Sequence, residues 1–461
     1  MGKNILNIDK RFQAVGIIFL FLSALLYGLL LYYVPRENFY AFLLLYTGLF
    51  SIYLYFCYPI WSKEGLGERI GNSQSAIRLV FGFGALFRLI ALFALPAFSD
   101  DYFRFIWDGK LIVEGISPFL HLPSTYMEDP AWASSLGLSK ELYEGMNSPA
   151  YFTIYPPVLQ AIFALGAAIF PNSIYGSVLI MKTFVFAAEI GSMYLILRIL
   201  RKIQLPAINL IFYAFNPMVI VELCGSLHFE ALMIFYLLSA WYLLLKDEYW
   251  QSALAFAMAV CSKLLPLMLL PFLLKRLGWI KTIKYGMLVG ITTAFLFFPI
   301  LDLETIHNLR ESVKLYFYSF EFNASIWYLV REIGYQVEGY NIIKTAGDYF
   351  SRIAAIGILI YALLERSASL KSLANAWLWA FLIYFSMATI VHPWYICTLL
   401  MLSSFSRYRF PLLWTILLPL TYVSYQSIPY KENLWLVIGE YMVVFGFIFY
   451  EMKQNRLKRG F

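Results

Sequence analysis

The feature that most constrains this chain is a series of apolar runs, each close to the length that crosses a bilayer. A hydrocarbon core about 30 Å thick takes about 20 residues of helix. Runs of that kind lie at 12–34, 39–61, 77–98, 174–198, 205–222, 229–246, 284–300, 350–365, 374–391, 394–406, 410–426 and 434–451. Shorter or broken apolar stretches occupy 155–170 and 250–274. Backbone groups in lipid must be satisfied within the protein, so segments like these are expected as helices. The expectation is an all-α polytopic membrane protein: one transmembrane helix bundle over 1–461, with about 12–14 spans and two long loops, 99–150 and 301–349. Phe12 to Val34 lacks a small-residue cleavage signal and is expected as an uncleaved first helix.

Composition agrees. Of the 461 residues, 61% are apolar and 14% charged, against about 25% charged in soluble domains. Disordered, disulfide-stapled and water-soluble classes are excluded. The net charge of +7 reports membrane orientation rather than nucleic-acid binding. Cys57, Cys224, Cys261 and Cys397 show no metal-ligand or CxxC spacing and are read as reduced packing residues.

Positive charge gathers at Lys3, Lys10 and Arg11, at Lys63, Arg69 and Arg78, at Lys275, Arg276, Lys281 and Lys284, at Arg366, Lys371, Arg407 and Arg409, and in the tail at Lys453, Arg456, Lys458 and Arg459. Placing these in the cytoplasm sends both termini there and both long loops outside. Loop 99–150 fits, with roughly eight acidic against three basic residues. If 155–170 spans, Arg198, Arg201 and Lys202 land outside. If it lies along the outer interface, they become cytoplasmic. The turn 222–230 then faces outside, and 250–274, broken by Pro266 and Pro271, forms two half-length helices. The second arrangement is preferred.

Chemistry concentrates where the third helix ends, in Ser99-Asp100-Asp101-Tyr102-Phe103-Arg104-Phe105-Ile106-Trp107-Asp108-Gly109. Charged groups at membrane level are costly and usually mark function. Paired carboxylates can take a proton from a hydroxyl, and the arginine one turn on can steady a phosphate. The alternative is a solvated helix cap with a surface ion pair. On the same face the preferred topology puts Glu222, His228 and Glu230, His392-Pro393-Trp394, and His121 and His307. Lys263 either snorkels to cytoplasmic headgroups or binds a lipid phosphate. Lys182 and Glu189 are read as structural partners, of other helices or of each other. Tyr155-Pro156-Pro157 makes a rigid helix entry, and Asn323-Ala324-Ser325 fits an N-glycosylation pattern.

In this order the motifs resemble the GT-C fold glycosyltransferases, and specifically prokaryotic polyprenol-phosphate-mannose mannosyltransferases. The resemblance runs from Ser99-Asp100-Asp101 through Trp107-Asp108-Gly109 and Gly115-Ile116-Ser117-Pro118-Phe119 to Tyr155-Pro156-Pro157. It continues through Asn216-Pro217, Gly225-Ser226-Leu227-His228-Phe229-Glu230, Lys263-Leu264-Leu265-Pro266, Phe322-Asn323-Ala324-Ser325 and His392-Pro393-Trp394-Tyr395. His228-Phe229-Glu230 stands where relatives commonly carry His-Asn-Asp, and two helices precede the signature loop.

The resemblance implies transfer of a sugar, mannose above all, from a polyprenyl-phosphate carrier to a glycolipid, glycan or protein acceptor. The transfer would be inverting and would take place on the outer face of a bacterial inner membrane. It implies Asp100 as base with Asp101 as alternative or support, and carrier-phosphate contacts at Arg104, His392 and Lys263. Substrate contacts would fall at Trp107, Asp108, Tyr155, His228, Glu230, Asn323 and Trp394. The leaving group is already a phosphate, so no cofactor is expected; a divalent metal is compatible with Asp100, Asp101, His228 and Glu230 but not required. A transporter or flippase is the competing class, and would place ionisable groups at mid-membrane within internal repeats. A non-catalytic membrane scaffold would not need the paired carboxylates.

Overall fold

The computed structural model describes residues 2–62, 73–427 and 430–457. The orienting charges Lys63, Arg69, Lys458 and Arg459 lie outside the described residues. The protein is an all-α polytopic membrane protein. Among the described residues there is no strand, only an isolated bridge between Phe322 and Ile390.

Among the described residues, seven helices are long and apolar enough to cross a membrane: Val15–Tyr33, Phe39–Tyr58, Gln74–Leu92, Ile174–Lys202, Trp279–Phe297, Ile343–Leu364 and Leu434–Leu457. Their starts are chemically marked where serine precedes them. Ser73 accepts from the Ala76 amide at 3.4 Å and Ser173 from the Gly176 amide at 3.0 Å, using donors the first helical turn leaves unpaired. Their outward faces keep large apolar side chains in the open, as in Phe295 and Trp435, which suits hydrocarbon as solvent. One apolar core cluster runs from Leu20 to Ile448.

Proline shapes the remaining apolar runs. The run 205–222 is a broken pair, Ala207–Ala214 and Val219–Gly225, bent by 62° at Asn216-Pro217. Pro217 has no amide proton to give and ends the first helical ladder. Asn216 repairs the break: its Oδ1 accepts from the Met218 amide at 2.9 Å and its Nδ2 donates to Thr415 at 3.0 Å. The stretch 250–274 divides as its prolines predict, into Tyr249–Val260 and the 3-10 segment Leu265–Leu273. Glu230–Leu244 and Tyr249–Val260 pack as a hairpin, so its two free ends bring Glu230 and Lys263 together.

The apolar stretch after Tyr155 is a single 13-residue helix, Pro157–Ile169, about 20 Å long and shorter than a hydrocarbon core. It packs on Asp101–Val113, the helix carrying the acidic signature. The approach is so close at Gly109 that a β-carbon there would strike the Phe163 carbonyl. The two long loops are themselves largely helical. The first holds Asp101–Val113 and three short helices, and the second holds Leu303–Tyr318 and Ile326–Glu338.

Arg88, Glu189 and Lys182, charges inside the bundle, all have polar partners. Arg88 donates from Nε to Glu189 at 2.9 Å, and Tyr213 donates to the same carboxylate at 2.5 Å. Lys182 donates to the carbonyls of Ala91 and Ala94 at the C-terminal end of Gln74–Leu92, where helix carbonyls lack partners. Lys182 and Glu189 therefore serve other helices, not each other. All four cysteines are buried and free.

Candidate active site

The connectors at one end of the bundle line a cavity of about 530 Å³ walled by charged and aromatic side chains. Asp100, Asp101, Arg104, Tyr155, His228, Glu230, Lys263, His392 and Trp394 all line it, drawn from sequence positions almost 300 residues apart. Trp107, Asp108 and Asn323 do not line it.

Asp100 stands at the N-cap position of its helix yet makes no side-chain cap bond; Ser99 Oγ accepts from the Asp101 amide instead. The Asp100 carboxylate is turned to Arg36, on the turn between the first two helices, and accepts from its Nη1 at 2.5 Å. Arg36 also lies 5.3 Å from the centre of the Tyr425 ring, and its ion pair raises its proton affinity against the opposing cost of burial. Asp101 accepts from Asn147 Nδ2 at 2.9 Å, and among the described residues no cation pairs with it. Neither Arg36 nor Asn147 was read as functional from sequence. The available signal was a lone arginine in the turn between the first two helices.

Arg104 lines the cavity, but its Nε and Nη1 donors are directed inward. Nε donates to Asp108 at 2.7 Å, and Nη1 to the carbonyls of Ser148 and Tyr151 at 3.2 and 2.9 Å. Asp108 is fully buried and also accepts from Thr153 and from Gln160, the latter at 3.0 Å. The pair is an internal brace that fixes segment 147–155 beside the acids. Trp107 packs against Tyr126 and Tyr143 beneath the site.

The opposite wall is a stack of rings. His228 lies 3.7 Å from Trp394, Trp394 lies 4.3 Å from His392, and His392 lies 4.8 Å from Phe322, all with interplanar angles below 30°. The Phe322 amide donates to Thr389 and its carbonyl accepts from Val391, which holds the stack in register. Burial pushes the His392 imidazole down to about 3, and the charges of His228 and Lys263 add to the shift. His392 thus meets this cavity as a neutral ring.

Lys263 forms a 2.9 Å ion pair with Glu230 and lies 5.6 Å from the Tyr395 ring centre. Sharing a cavity with Asp100 and Asp101, it does not reach toward the opposite headgroups, because the helical hairpin carries it back to the acidic end. A second, largely apolar cavity of about 410 Å³ adjoins, sharing Ile154, Lys263, Ile390 and Tyr395 with the first. Leu265, Met268, Ile358 and Met387 are among its walls.

Asn323 is completely buried, at a left-handed φ of 44°, with Nδ2 donating to Glu440 at 3.1 Å. Its amide donates to Glu432, which Tyr328 also reaches. Burial rules out its use as a glycan acceptor in the folded chain. The turn 222–230 is buried too, with Leu227 fully enclosed. His121 meets Tyr126 and Trp132 edge to face, and His307 lies exposed on Leu303–Tyr318. Among the described residues, no group of three or more His, Cys, Asp or Glu side chains is placed to hold a metal ion.

The protein is thus an all-α membrane bundle with an acidic, aromatic cavity at its helix ends. The family model for the alpha-(1->6)-mannopyranosyltransferase N-terminal domain matches residues 20–278, more than half of the chain, and the chain belongs to this MptA/B family. The protein is therefore a mannose-transferring glycosyltransferase. No curated protein matches the chain significantly.

Proposed function

We propose that this mannosyltransferase takes mannose from a polyprenyl-phosphate carrier and passes it, with inversion, to a hydroxyl of a glycolipid, glycan or protein on the outer face of a bacterial inner membrane. The observation that carries the reading is the junction of the two cavities at Lys263. A chamber walled by charged and aromatic side chains adjoins an apolar groove, and a cation stands on their shared wall. A prenyl-phosphate sugar has the same division, with a hydrocarbon tail, a phosphodiester at the junction and a polar sugar beyond. Leu265–Leu273, 3-10 in form and broken by proline, lines the groove.

The acceptor proton is assigned to Asp101. Arg36 already neutralises Asp100, whereas Asp101 carries only a neutral amide. The acceptor oxygen bonds to the anomeric carbon as the bond to the phosphate oxygen breaks, and the proton passes to the Asp101 carboxylate. Lys263 steadies the phosphate, Trp394 and Tyr155 bound the sugar, and the chemistry as written needs no cofactor. Residues on both sides of position 278 build the cavity, so the catalytic unit is the whole chain. Support for the outer face comes from the Lys and Arg clusters, which place Arg36 and the acidic loop opposite the basic connectors.

The test is transfer of labelled mannose from polyprenyl-phosphate mannose in vesicles carrying wild-type or Asp101→Asn protein. Loss of transfer in a folded variant supports the reading. Transfer from a soluble nucleotide-linked mannose and never from the lipid would overturn it.

A further inference from the structure

Every permanent cation lining the cavity already faces a carboxylate: Arg36 with Asp100, Arg104 with Asp108, and Lys263 with Glu230. The reaction nevertheless gathers negative charge. As the C–O bond breaks, its electron pair stays on the phosphate oxygen and a phosphodiester becomes a phosphomonoester. Lys263 steadies the phosphate as a whole, and a further hydrogen-bond donor is needed at the oxygen that leaves.

His228 has the right unused position. Its ring is buried on the cavity wall and held by the face of Trp394. Nδ1 lies 2.9 Å from the Glu222 carbonyl and 3.4 Å from Glu222 Oε2. Both neighbours are acceptors, so Nδ1 carries a proton; it donates to the Glu222 carbonyl, with the Glu222 carboxylate beside it at ion-pair distance. Nε2, on the other edge of the ring, is buried without a hydrogen-bond partner among the described residues. A buried polar atom without a partner is uncommon and asks for a reason. Glu222 is itself anchored from behind, since Tyr422 donates to its Oε1. The chain reaches this arrangement through a π-helical turn, Val219–Gly225, and a left-handed residue, Leu227 at φ 62°. Irregular turns of this kind frequently occur at functional sites.

We propose that His228 is the residue that receives the departing phosphate, with Glu222 as its positioning residue. This rests on the lipid-phosphate donor proposed above. With both nitrogens protonated, the imidazolium is balanced by Glu222 and donates from Nε2 to the oxygen that leaves the anomeric carbon. No proton need change hands: the acceptor's proton goes to Asp101 and the electron pair to phosphate. His392, one ring further along the stack, is a neutral neighbour and Lys263 the paired cation beside them. The pair is tuned to the product, because a phosphomonoester carries more charge on the contacted oxygen than the donor phosphodiester does.

The experiment is equilibrium binding of farnesyl phosphate and of farnesyl-phosphate mannose to the full-length protein in detergent, comparing wild type with His228→Gln and Glu222→Gln. Wild type should bind the phosphomonoester more tightly. Each variant should reduce that preference by about tenfold, the scale of a lost charge-assisted hydrogen bond. Affinity for the phosphodiester should stay within about threefold, reporting an intact fold. A wild-type preference retained in either variant overturns the assignment. Equal weakening of both ligands also overturns it, since that marks a packing role. Wild type that binds neither farnesyl ligand instead sinks the donor reading itself.

Discussion

Arg36 and Asp100, 64 residues apart in sequence, meet in a 2.5 Å ion pair across the mouth of the cavity. The contact joins the turn between the first two helices to the acidic signature. It also makes two adjacent carboxylates chemically unequal, one held by a guanidinium and the other by an amide.

Asp101→Asn should lower transfer by about 10²–10⁴-fold, the range for a lost general base. Arg36→Gln should lower it less, while leaving the protein's level in membranes unchanged. Initial rates at saturating donor decide this; an active Asp101→Asn beside an inactive Asp100→Asn would move the base to Asp100.

Arg104 should act on stability before chemistry. Removing Asp108 strands a buried guanidinium, at a cost of about 3–5 kcal/mol. Asp108→Ala and Arg104→Ala should therefore lower the thermal midpoint in detergent together, and the double variant should fall short of their sum. A stable Arg104→Ala protein with selectively weakened donor use would return Arg104 to phosphate binding.

His392 supplies a signed pH effect. Its folded-state value is pushed down to about 3, below the unfolded value of about 6.5. Between these values the unfolded chain binds the extra proton. The stability from the neutral ring is thus fully present above about 6.5 and is lost as pH falls toward 3. The difference in unfolding midpoint between pH 7.5 and pH 5 should be smaller in His392→Gln than in wild type; equal differences would contradict it.

Topology is open to a thiol probe because the native cysteines are all buried. A cysteine replacing exposed Glu37, next to Arg36, should react with a membrane-impermeant maleimide from outside. One replacing Lys246, on the turn of the helical hairpin, should react only after permeabilisation. The opposite pattern would place the cavity on the cytoplasmic side.

Several features were legible before any coordinates. The apolar runs announce a membrane bundle, Asn216-Pro217 and Pro266 mark real breaks, and the ordered motifs point to the family that the match over residues 20–278 shows. Less legible was which motif residues face the cavity. Asp108 lies two helical turns beyond Asp100 and Asp101, yet it braces the fold, and Gly109 is required by the backbone of Phe163. Asn323 matches a surface glycosylation pattern and is buried against Glu440.

The sequence by itself determined the solvent, because a chain so rich in 20-residue apolar runs can satisfy its backbone in lipid only as helices. It also determined where chemistry could reside, because charge so near hydrocarbon persists only where something compensates it. The tertiary structure alone decided which charges are compensated by one another and which remain for a substrate. Arg36 reaches Asp100, Lys263 returns to Glu230, and Tyr422 anchors Glu222 behind His228 through contacts between helices. Ion pairs and ring stacks act over a few ångströms, and those distances exist only once the helices have packed.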